Sequence, residues 1–104
     1  MSNESRPDFT TSSKTCTAAM SDWSQYYTLV DPDSVKAGEG CAVVVRSRQT
    51  NTGLIYVARN TVTSKVNPFR LSPGEAVELK VKDLSGILVG AEIAGEKVDW
   101  MVEL

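Results

Sequence analysis

The chain of 104 residues has no histidine, two cysteines, two phenylalanines, two tryptophans and three tyrosines. Each shortage excludes something. Without histidine the usual general base and the commonest metal ligand are missing. Two cysteines cannot complete a zinc site, which takes four ligands. The longest apolar run, CAVVV at 41–45, is strand-sized and far from the ~20 residues a membrane helix needs. The polar, Ser- and Thr-rich start of the chain lacks the apolar core of a secretory signal. A soluble protein made in a cytoplasm is the expectation, with Cys16 and Cys41 as free thiols rather than a disulfide. No catalytic residue, metal or cofactor is expected.

What is present fits one domain. A single core needs roughly 100 residues, and two smaller ones would need staples. Eleven basic residues face thirteen acidic ones, a net charge of −2, whereas a general polyanion binder is strongly basic.

Residues 1–25 read as an extended N-terminal arm, rich in Ser, Thr, Asn, Asp and Pro. They form either a disordered tail or an arm that orders on a neighbouring subunit. In the second case Phe9, Trp23 and Tyr26 are its anchors, because aromatic side chains bury much area at low entropy cost. Residues 17–23 are the only candidate helix and are too short to persist.

From residue 26 to 104 the texture is β. A first strand covers 26–30 and ends at the turn cluster Asp31-Pro32-Asp33-Ser34. Residues 41–49 and 54–59 flank Asn51-Thr52-Gly53, which reads as a hairpin loop with glycine supplying a positive φ. Residues 67–71 read as an extended segment crossing between sheets. Ser72-Pro73-Gly74-Glu75 carries proline and glycine at the second and third positions of a type II turn. Val77, Leu79 and Val81 then alternate with Glu78, Lys80 and Lys82. Ile87, Val89, Ala91 and Ile93 share one face of the next strand. Val98, Trp100, Val102 and Leu104 form the last inward row, and this final strand reads as an edge strand or as one that pairs inside the sheet. Six or seven short strands without a convincing helix define an all-β protein, a small antiparallel β-sandwich of immunoglobulin-like or jelly-roll topology. Trp100 and Ile87 are expected near its centre.

Charge is segregated along the chain. Residues 41–74 hold five basic residues (Arg46, Arg48, Arg59, Lys65 and Arg70) and no acidic one; from Glu75 onward seven acidic residues meet three lysines. Three readings stay open: an ordinary solvated surface, a basic patch that docks on an acidic neighbouring protein, and a nucleic-acid contact. The scarcity of interleaved aromatics disfavours the last. With the two long apolar runs paired as a hairpin, Arg46, Arg48 and Arg59 would crowd one surface and invite an external carboxylate or phosphate. The carboxylate pairs Asp31/Asp33 and Asp99/Glu103 read as solvated charge.

Four strings carry a resemblance: NTGLIYV at 51–57, PFRLSPGEAVEL at 68–79, VKDLSGILV at 81–89 and AGEKVDWMV at 94–102. Together they resemble small structural proteins of tailed bacteriophage virions, over residues 40–102. The resemblance implies a β-sandwich used for attachment on a particle and no catalytic residues. The expected function is a capsid decoration or cement protein that binds the major capsid protein and stabilises the head. It would reside in the virion, assembled in the host cytoplasm, with homo-oligomerisation open. The alternatives are a neck, tail or fibre-anchoring virion protein, or a carbohydrate-binding module drawing on Tyr27, Tyr56 and Trp23, with Trp100 read as core. Expected partner contacts are Phe9, Trp23, Tyr26, Arg46, Arg48 and Arg59.

Overall fold

The period-2 runs become two four-stranded antiparallel sheets in a computed structural model that describes residues 9–20, 25–29, 41–81 and 84–103. The elements are β1 (Phe9–Cys16), β2 (Tyr27–Thr28), β3 (Cys41–Ser47), β4 (Ile55–Arg59), α1 (Val62–Val66), β5 (Phe69–Leu71), β6 (Ala76–Val81), a 3-10 turn (Leu84–Gly86), β7 (Ile87–Ala91) and β8 (Glu96–Glu103). Sheet A has the order β1-β8-β3-β6 and sheet B the order β2-β7-β4-β5. The all-β sandwich expected from the sequence is the fold observed.

Inward rows from both sheets fill the space between them. Val43 and Val45 of β3 and Val98, Trp100 and Val102 of β8 meet Ile55, Val57, Leu71, Ile87, Val89 and Ala91 of sheet B. Trp100 and Ile87 are both buried there, as their alternation implies. Ile93 lies past the end of β7 and is exposed. The row Val77, Leu79, Val81 packs against the core but stays half-buried, because β6 is an edge.

Several expectations are corrected. The two long apolar runs do not form a hairpin: β3 belongs to sheet A and β4 to sheet B, so residues 48–54 cross between sheets. Gly53 accordingly has no positive φ. A Cβ there would lie 2.9 Å from the Ile93 side chain, which is exposed and has room to turn aside. Of the two placements open to the final strand the interior one is observed: β8 sits between β1 and β3 and pairs with both. And residues 9–16 of the N-terminal arm, though extended, are a strand of the sandwich, paired with β8 from Phe9 opposite Glu103 to Cys16 opposite Glu96. The step from sheet B to sheet A also comes later than residues 67–71, which include β5, paired with β4. It falls at the following turn.

That turn is the one its sequence specifies. Glu75 N–H donates to the Ser72 carbonyl at 2.9 Å, and Gly74 has φ +87°. Gly74 N–H donates to the Ser47 carbonyl and Ser47 N–H to the Glu75 carbonyl, each at 2.9 Å, fixing the turn to the end of β3. The short helix α1 was not readable from its composition. It is started by Thr61, whose Oγ1 accepts from Ser64 N–H at 3.2 Å.

Two outcomes are expected. Gly74→Ala forces a side chain into the left-handed region and should lower unfolding free energy by about 1 kcal/mol, read from the urea midpoint. Cys16 is a free thiol, fully buried at the end of the core. Burial pushes its pKa up to about 11, against the opposing pull of Lys14. In a Cys41→Ser variant, Cys16 should resist a disulfide reagent at neutral pH and react once urea unfolds the chain.

Candidate functional site

Pairing in sheet A brings the segregated charges together. Arg46 lies opposite Asp99 in the β3·β8 register, so both side chains emerge on the outer face. Arg48 follows just past β3. Its Nη2 donates to Asp99 Oδ1 at 2.6 Å and its Nε to the same carboxylate at 3.2 Å. Arg46 Nη2 reaches Asp99 Oδ2 at 3.4 Å. The Arg48 hydrogen bonds are the main reason the Asp99 carboxyl is held below its ordinary value, and they raise Arg48 in turn. Two guanidiniums on one carboxylate leave one net positive charge. Arg46 carries it outward, with a side chain 59% exposed.

The surroundings are polar and shallow. Thr11 and Ser13 on β1 lie opposite Met101 and Asp99, and so share this outer face. Val44 lies opposite Met101 between them. These residues line a broad depression together with Gln49 and Glu75.

The expected contact residues separate into different places. Arg46 and Arg48 form the cluster above. Arg59 does not join them: it ends β4 in sheet B and lines a groove on another side of the sandwich. The three-arginine surface is therefore corrected to two arginines and an aspartate. Tyr26 is half-buried and committed to its own chain, its hydroxyl donating to the Lys65 carbonyl at 2.7 Å. Phe9 opens β1, and Trp23 lies outside the described residues, as do Asp31 and Asp33. Tyr27 lies opposite the buried Val89, whereas Tyr56 lies opposite Gly90, the next position along β7. The two rings thus point to opposite faces of sheet B and cannot form one platform for a sugar.

One group escaped the sequence reading. Glu96 is buried, and its Oε1 accepts from Thr52 N–H at 2.6 Å, Gly53 N–H at 2.7 Å and Thr52 Oγ1 at 3.3 Å. Beside it, Asn51 Nδ2 donates to the Lys97 carbonyl at 2.7 Å and to Ser47 Oγ at 3.0 Å, while its Oδ1 accepts from Lys97 N–H at 3.0 Å. Its amide thus pairs with β8 as a further residue of β3 would. Nothing local marks Glu96, because its partners lie more than forty residues away in sequence.

Among the described residues no group of three or more His, Cys, Asp or Glu gathers to hold a metal, and no helix is long and apolar enough to cross a membrane. No protein-family model matches the chain, and no curated protein matches it.

Burial pushes the Glu96 carboxyl up, but the Gly53 and Thr52 donors outweigh it and hold it below its ordinary 4.5. Asp99 is likewise depressed from 3.8. Groups depressed in the folded state stabilise it above their unfolded pKa, and that contribution is lost as pH falls through the folded value. The urea midpoint should therefore be flat through neutral pH and fall below about pH 4. Glu96→Gln should lower the midpoint at neutral pH and flatten the acid limb.

Proposed function

We propose that the protein is a non-enzymatic structural component of a tailed-bacteriophage virion, a capsid decoration or cement protein that grips the major capsid protein. The observation that carries this reading is the Arg46–Asp99–Arg48 cluster on an exposed sheet face. Arg48 is spent on Asp99, while Arg46 has one long contact and most of its surface in water. Such a guanidinium suits a carboxylate on a neighbouring subunit, and charge complementarity of this kind fixes register and on-rate. The four strings that resemble virion proteins support the reading from the sequence side. Their described residues include the Ser72–Glu75 turn and the inward row of β8.

The mechanism is linkage. A protein that binds the assembled shell and not its free subunits stabilises the shell by mass action. The exposed Arg46 guanidinium and the hydroxyl-bearing strand β1 supply the adhesive face, and Asp99, held by Arg48, orients Arg46.

The test is a pelleting experiment with purified protein and assembled heads that lack it. Saturable binding at hundreds of copies per head is expected, with Arg46→Ala weakening it by about tenfold and Arg59→Ala leaving it unchanged. About a dozen copies would move the protein to the neck or tail. No binding would remove it from the virion.

A further inference from the structure

We infer that β6 is a self-association edge, along which two copies of the chain pair antiparallel about a two-fold axis at Leu79. The inference is independent of the capsid reading. Among the described residues no strand pairs with the outer side of β6, which ends sheet A. Beneath that edge, on the side of sheet B, a groove of about 760 Å³ is lined by Val57, Phe69, Val77, Leu79, Val81 and Ile87, among others. Phe69 is 58% exposed at its rim. An unpaired edge over an apolar groove is a template for another strand.

The hydrogen-bond phase narrows the register. Ser47 N–H donates to the Glu75 carbonyl within the β3·β6 register. In an antiparallel ladder backbone groups alternate sides, so Val77, Leu79 and Val81 face β3. The N–H and C=O groups of Ala76, Glu78 and Lys80 therefore face the free edge. A second β6 centred at Leu79 meets this phase: Leu79 opposes Leu79 as a non-hydrogen-bonded pair, and Glu78 and Lys80 supply the hydrogen bonds.

Charge then singles out that centre. The strand reads Val77-Glu78-Leu79-Lys80-Val81. About Leu79, Glu78 faces Lys80 of the partner subunit on the outer face, twice by symmetry, and Val77 faces Val81 of the partner subunit on the inner face. Centres at Glu78 or Lys80 instead oppose like charges, which destabilises a cross-strand pair. An isologous interface needs a self-complementary patch, and this strand is one. The other edge of sheet A, β1, has no such code: its outward residues are Thr11, Ser13 and Thr15, and its Lys14 lies 5.6 Å from the Tyr27 ring centroid. The edges β2 and β5 are two and three residues long.

The test is sedimentation of the full chain over a concentration series, with Glu78→Lys and Lys80→Glu alone, combined in one chain, and as an equimolar mixture of the two single variants. Both positions are exposed, and far-UV circular dichroism checks that each variant folds. The wild type should dimerise, each single variant should self-associate at least about tenfold more weakly, and the doubly substituted chain should dimerise like the wild type. The mixture should form a heterodimer. A wild type that stays monomeric, or a dimer that the single variants leave unchanged, overturns the inference.

Discussion

Two consecutive backbone N–H groups, those of Thr52 and Gly53, aim at one buried carboxylate. The rest of the sandwich depends on that arrangement. The chain must leave sheet A at the end of β3 and enter sheet B at β4, and a sheet-to-sheet crossing strands backbone donors at the end of the core. Glu96 satisfies two of them, and the Asn51 amide satisfies the Lys97 N–H and shares the Lys97 carbonyl with the Arg48 N–H. An unsatisfied buried donor costs about 1–3 kcal/mol, a sizeable part of the stability of a domain this small. The crossing is thus held by polar chemistry at one end and by apolar rows along its length.

The same region divides what the sequence shows from what it hides. Alternation reveals β6, the inward row of β8 and the Ser72–Glu75 turn, because each signal is local: a period of two, or a proline and glycine at fixed offsets. Sheet membership is not local. Two apolar runs separated by Asn51-Thr52-Gly53 look like a hairpin until a glutamate far along the chain claims the loop. β1 is hidden for a different reason. Its inward register holds Ser12, Lys14 and Cys16, opposite Trp100, Val98 and Glu96, and of these three only Cys16 is buried, so the strand shows no apolar period.

The candidate site was half legible. Arg46 and Arg48 stand out as basic residues in a stretch without acids, and that contrast is real. Their counterion was invisible because β3 and β8 are neighbours in space only. Once paired, the basic segment and the acidic segment neutralise each other in part, and what remains is a single guanidinium with a free side. Arg59 looked equivalent by composition but lies in the other sheet. Tyr26 looked like an anchor for a neighbour and instead fastens the chain to its own Lys65 carbonyl.

The central place of β8 bears on the order in which the protein can be made. Sheet B draws on strands between residues 27 and 91, and β3 can pair with β6 as soon as both exist. β1 and the second side of β3 have no partner until β8 is synthesised. Among the described strands β1 therefore waits for β8, about eighty residues further on, and sheet A closes through a long-range pairing. During that interval a Ser- and Thr-rich first strand, with little apolar surface to aggregate, is a safe one to leave unpaired.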